Sequence, residues 1–234
     1  AANQNNNLYF INKLNGQLLK FIPTEETEIK NEFINNVSLN ANNTFFLNTY
    51  GSLYAIDNKT LKIIWYLNLN TSSDITPSNL FIGSQLVNHG DIVSVSTNQF
   101  TYILDADTGS IIYKKNFTSV IKPILLNNYF FMATKNNLLI AMDLNDGSII
   151  YSYNINQKIA EYLNIKKKKI SIKDITMLNG KIFIFLKNSF VLKFNVNGNL
   201  EDVYKLPTKI NTNPIFIKKT ILYLNNKNKL SIVN

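Results

Sequence analysis

The chain of 234 residues contains no cysteine. That removes disulfides, thiolate metal ligands and cysteine nucleophiles together, and leaves the redox compartment undetermined. Arginine is missing too. All 24 basic residues are lysine, against 15 acidic ones, for a formal charge of +9. A basic chain invites a nucleic-acid reading, but phosphate and base recognition lean on arginine's planar fork. Asparagine, isoleucine, phenylalanine and tyrosine abound, as AT-rich codons favour, so composition accounts for the charge and no nucleic-acid partner is expected. The same asparagine richness produces sequons such as Asn58-Lys59-Thr60 and Asn116-Phe117-Thr118 by chance. The one histidine, His89, lies in the turn Val87-Asn88-His89-Gly90-Asp91. A metal site or a catalytic triad needs several converging groups, so turn polarity is the expected role. No apolar run is long enough to span a bilayer, and residues 1–7 are polar where a basic-then-apolar leader would stand.

What is present is a repeat. Leu53-Tyr54-Ala55-Ile56-Asp57, Thr101-Tyr102-Ile103-Leu104-Asp105 and Leu139-Ile140-Ala141-Met142-Asp143 are extended segments ending in Asp. A short turn follows each, and an aromatic arrives eight positions after the Asp: Trp65, Tyr113 and Tyr151. Weaker copies anchor on Asn12 and Asn195, and a last one ends on Asn234, giving steps of 45, 48, 38, 52 and 39 residues. The Asp or Asn can accept hydrogen bonds from the N–H groups of its turn. Gly16, Gly109, Gly147 and Gly198 supply the positive φ that a short bulged hairpin requires. Leu61 stands where the glycine belongs, which predicts a different turn type there. The loops Asp105-Ala106-Asp107 and Asp143-Leu144-Asn145-Asp146-Gly147 lack the final glutamate of a calcium loop, so no metal site is assigned.

Each anchor hairpin is preceded by a strand pair, around residues 44–48, 91–95, 129–133 and 181–185. Candidate first strands lie near residues 80–87, 120–126, 173–178 and 213–217. Four strands per period in a meander, rich in Val, Ile, Phe and Tyr, predict an all-β β-propeller of four-stranded antiparallel blades. Residues 157–168 are the exception and could hold a short helix. The motifs Ala55-x-Asp57-x-x-Thr60-x-x-x-x-Trp65, Asp105-x-x-Thr108-Gly109-x-x-x-Tyr113 and Ala141-x-Asp143-x-x-Asp146-Gly147-x-x-x-Tyr151 resemble the Ala-x-Asp-x-x-Thr-Gly-x-x-x-Trp repeat of the PQQ-like, or quinoprotein-like, propellers. Asp57, Trp65, Asp105, Gly109, Tyr113, Asp143, Gly147 and Tyr151 are thereby structural repeat residues.

Four blades are expected at about residues 37–70, 79–117, 118–155 and 172–206, flanked by a hairpin at 8–21 and three C-terminal strands. This pattern is read as a partial ring. The chain would be a single PQQ-like β-propeller domain over residues 1–234, the C-terminal portion of a larger ring of seven or eight blades. A closed five-blade ring with one spare strand is the alternative. In the quinoprotein dehydrogenases the resemblance implies a pocket built on arginine, a vicinal cysteine pair and calcium. This chain has neither arginine nor cysteine, so no catalytic or cofactor-binding residue is carried over and no cofactor is expected. Among PQQ-like propellers without a cofactor site the resemblance is to the BamB family of the outer-membrane barrel assembly machinery. It implies a non-catalytic scaffold in the periplasm, associated with the outer membrane only through a lipid anchor that would belong to a missing N-terminal segment. The implied partner is a protein, with the central barrel subunit as candidate. A dehydrogenase-like or ligand-sensing propeller is the alternative. Long connections on a rigid scaffold are where binding sits, and two stand out: residues 22–36, with Glu25, Glu26, Glu28 and Glu32, and residues 156–172. In the second, Ile159, Tyr162, Leu163 and Ile165 are candidate apolar anchors beside Lys166, Lys167, Lys168 and Lys169.

Overall fold

The computed structural model describes residues 1–25, 36–70, 81, 83–218 and 220–233. Glu26, Glu28, Glu32, Leu80 and Asn234 lie outside the described residues. The chain divides into two compact units, Ala1–Val120 and Ile121–Asn234.

Among the described residues the first unit holds three antiparallel sheets. The first is the hairpin β1 (Leu8–Ile11) and β2 (Leu18–Ile22). The second is the meander β3 (Asn36–Leu39), β4 (Asn43–Leu47), β5 (Ser52–Asp57) and β6 (Ile63–Asn68). The third is β7 (Val87–His89), β8 (Ile92–Ser96), β9 (Thr101–Asp105) and β10 (Ile111–Lys115). Of the strand expected near residues 80–87, the described part is strand only from Val87. Among the described residues of this stretch, Phe81 and Leu86 pack as non-strand residues into the core.

Strands β4 and β5 are apolar on both faces because a sheet packs on each side. Phe46, Tyr54 and Ile56 meet Leu8 and Ile22 of the hairpin. Phe45, Leu47, Leu53 and Ala55 meet Val93, Val95, Tyr102 and Leu104 of the third sheet. The sequence of a middle strand thus reads as a continuous apolar run, with alternate residues feeding alternate cores.

The second unit repeats the plan. It contains β11 (Ile124–Leu126), β12 (Tyr129–Ala133), β13 (Leu138–Asp143) and β14 (Ile149–Asn154), then the helix α1 (Ile155–Leu163). A second four-stranded meander follows: β15 (Ile172–Leu178), β16 (Lys181–Leu186), β17 (Phe190–Asn195) and β18 (Leu200–Lys205). The chain ends with a three-stranded sheet, β19 (Ile215–Ile217), β20 (Thr220–Leu224) and β21 (Leu230–Val233). Ile182, Ile184 and Leu192 face the preceding sheet, while Phe185 and Val191 face the following one with Ile221 and Tyr223.

The two threonine-bearing turns share one chemistry. One carboxylate oxygen of Asp105 accepts from the Asp107 N–H at 3.1 Å, the Thr108 N–H at 2.7 Å and the Thr108 hydroxyl at 2.8 Å. Asp57 makes the same three bonds with Lys59 and Thr60. The turn at Leu61 is not a different type. Leu61 takes φ +54°, beside +73° at Gly109, and its N–H reaches the Asp57 carbonyl as that of Gly109 reaches Asp105. A leucine therefore carries the left-handed conformation that glycine relieves elsewhere.

Two further features were invisible in the sequence. Every outer hairpin carries a β-bulge at one position. Ile56 pairs with Ile63 but Ala55 with Trp65, leaving Ile64 as the extra residue. Leu19, Ile112, Ile150 and Glu201 are the equivalents. The bulge leaves both isoleucines of the pair exposed, while Trp65 and Tyr151 pack against the cores. The repeat glycine also serves the repeat before it. A Cβ on Gly109 would stand 2.6 Å from Cδ2 of Trp65, whose indole N–H donates to the Ala106 carbonyl at 3.0 Å. Gly198 seats Tyr153 and Tyr151 in the same way.

A candidate interaction surface on helix α1 and its loop

Strand β14 runs directly into α1. Asn154 caps the helix, its side chain accepting from the Gln157 N–H at 3.1 Å. Asn164 ends it in the left-handed conformation at φ 50°. The expected helix over 157–168 is thus shifted to Ile155–Leu163, because an asparagine cap opens it and an αL asparagine closes it before the lysines. The stem of the following loop is pinned. The Asn156 side-chain oxygen accepts from the Ile170 N–H at 3.3 Å, and the Asn137 amide donates to the Ile170 carbonyl at 3.1 Å.

The structure separates the sequence-predicted anchors. Ile159 is buried and joins Ile155 in the core beneath the helix, so its side chain is not part of the surface. Tyr162, Leu163 and Ile165 are 46%, 40% and 47% exposed. The Tyr162 hydroxyl is oriented by donation to the Glu201 carbonyl at 3.2 Å. Lys166, Lys167, Lys168 and Lys169 are all exposed, outside helix or strand, and among the described residues no carboxylate lies within ion-pair distance of them. The neighbouring Glu201 is already engaged by Lys181 and Lys193. Beside α1 a groove of about 360 Å³ is lined by Leu138, Ser152, Tyr153, Asn154, Gln157, Lys158 and Glu161. Lys158 Nζ stands 4.6 Å from the centroid of the Tyr153 ring.

Of the glutamates in the 22–36 connection, Glu25 is described. Its carboxylate accepts from Ser52 Oγ and Tyr54 OH at 2.6 Å each and from Asn48 Nδ2 at 2.5 Å. Partial burial raises its pKa, but these donors outweigh burial and hold the carboxyl below the usual range. Asn6, fully buried at φ 68°, ties this segment down by donating to the Glu25 carbonyl at 2.9 Å and to Thr49 Oγ1 at 2.8 Å. No composition signal marks Asn6 among so many asparagines. His89 and Asp91 sit exposed around Gly90 at a hairpin turn. In the second unit Asp174 is buried beside the bulge at the start of β15. Desolvation raises its carboxyl to about 6, against the backbone N–H of Ile175 and the charges of Lys122 and Lys173.

Residues 1–153 match the family described as outer membrane protein assembly factor BamB. Among solved structures, the chain is similar to BamB from Moraxella catarrhalis, with a TM-score of 0.73 at 13% identity over 98% of this chain and 67% of that one. It is similar to the computationally designed Ika8 protein, with a TM-score of 0.67 at 11% identity over 93% of this chain and 61% of that one. A third similar structure is a quinohemoprotein alcohol dehydrogenase from Comamonas testosteroni, with a TM-score of 0.64 at 11% identity over 85% of this chain and 41% of that one. No curated protein sequence matches. The chain spans about two thirds of the length of the BamB structure and less of the other two. Identities this low show the fold, and the fold is the β-propeller of four-stranded blades. Sheets, turns and the match over residues 1–153 agree that the chain belongs to the PQQ-like repeat family of outer membrane protein assembly factor BamB.

Proposed function

We propose that the chain is a non-catalytic scaffold that contributes to the assembly of outer-membrane β-barrel proteins, working in the periplasm at the outer membrane. The family match supports this reading, and one observation carries it on this chain. A capped helix and the pinned loop that follows it present Tyr162, Leu163 and Ile165 to solvent on a rigid support, as a docking surface requires. The central subunit of the barrel assembly machinery is the candidate partner. The dehydrogenase neighbour shares the propeller, but fold alone does not confer chemistry. The arginine and cysteines of that pocket have no counterpart in this sequence.

Affinity capture from native envelope tests the proposal. The wild-type chain is expected to recover barrel-assembly subunits, and the double variant L163D/I165D to lose them with its thermal stability intact. Deleting the whole loop is the poorer test, because residues 158–169 include the buried Ile159. Clean absence of those subunits from the wild-type capture would overturn the scaffold reading.

A further inference from the structure

We infer that Lys166, Lys167, Lys168 and Lys169 engage the anionic headgroups of a membrane surface, beside the protein-docking side chains of α1. This deepens the preceding proposal and rests on its reading of the α1 segment as an interaction surface, but it gives the lysines a lipid partner in place of a protein.

The argument is one of charge complementarity and geometry. The four ammonium groups are exposed, and among the described residues no carboxylate pairs with them. Any fixed counter-charge they meet therefore comes from beyond the described residues. Long, flexible lysine stems can all reach a plane of phosphates while their heads stay hydrated. Lysine is also depleted in protein–protein interfaces, whereas each one near an anionic bilayer strengthens association. The stem held at Ile170 keeps the run beside the exposed protein-docking pair Leu163 and Ile165, so one support presents both contacts. A cluster of four lysines on one loop suits an electrostatic contact with an anionic lipid surface.

Co-sedimentation of the full chain with vesicles tests the inference. We expect binding to vesicles of phosphatidylethanolamine and phosphatidylglycerol, little to phosphatidylcholine alone, and release at high salt. Each lysine removed should weaken binding about fivefold, so K166Q/K167Q/K168Q/K169Q should lose on the order of several hundredfold. A control that removes as much charge elsewhere, K13Q/K20Q/K59Q/K62Q, should retain most of the binding, with circular dichroism confirming the fold of both. Equal loss in the two quadruple variants would assign the effect to net charge and overturn the site. Indifference to phosphatidylglycerol would overturn it as well. Capture of assembly subunits that depends on the four lysines, without vesicle binding, would assign them to an acidic protein surface; the inference would fall and the scaffold reading stand. Vesicle binding as expected, with no subunits captured, would do the reverse.

Discussion

Two single positions in the fold work against its stability. Leu61 holds φ +54° in a turn whose counterparts are glycines, a conformation that costs a β-carbon residue about 1–2 kcal/mol. Replacing it with glycine relieves that strain and gives part of the gain back as chain entropy. L61G should therefore raise stability by about 1 kcal/mol in urea denaturation, and a loss would contradict the strain argument. Asp174 is the second. Its folded pKa of about 6 lies above the ordinary carboxylate value of 3.8, so the native state holds the proton more tightly than the unfolded chain. The sign follows: the penalty is absent below pH 4, grows as pH rises towards 6, and is complete above it. D174N should be more stable than wild type at pH 7, on the order of 2 kcal/mol, with the difference vanishing near pH 3.5. Denaturation midpoints across that range would check it, and a difference that does not change with pH would refute the buried-charge account.

Within the elements, the repeat glycines divide by what surrounds them. Gly16 and Gly109 share nearly the same φ, but a Cβ on Gly16 meets nothing within 4 Å, while one on Gly109 meets the Trp65 ring at 2.6 Å. G16A should cost about 1 kcal/mol from backbone strain alone, and G109A a further 1–3 kcal/mol from displacing a hydrogen-bonded indole. Equal costs would mean that the aromatic seat contributes nothing. The contrast also bears on what could be read from the chain in advance. The Asp anchors, the glycines and the aromatic eight positions on are local in sequence, so strands, turns and period were legible. Their pairing across successive repeats was not, because nothing in Gly109 marks it as the seat of Trp65. The bulges escaped for a related reason: Ile63-Ile64 and Ile149-Ile150 read as uniform apolar strand, and only the register shows which residue is extra. Among the candidate anchors, Ile159 and Leu163 are one helical turn apart and equally apolar. Only the packing of α1 decides which of them turns inward.

At the scale of the molecule, stability should follow nearest-neighbour rules, each sheet leaning on the sheets beside it. In the second unit the three-stranded sheet packs through the cluster around Phe185, Val191, Ile221 and Tyr223. F185A, which empties part of that cluster at a cost of about 3–5 kcal/mol, should raise hydrogen exchange in β19, β20 and β21 more than in β12 and β13. A uniform rise across the unit would show instead that it unfolds as one body. The seating of Trp65 on Gly109 has a last consequence, for anyone who would cut or duplicate this chain. A segment taken from one Asp turn to the next leaves its aromatic without a seat and its glycine without a tenant. The transferable module is therefore a pair of half-repeats joined across the seam. Gene duplication or designed extension that respects this offset should give soluble products, and splicing at the turns should not.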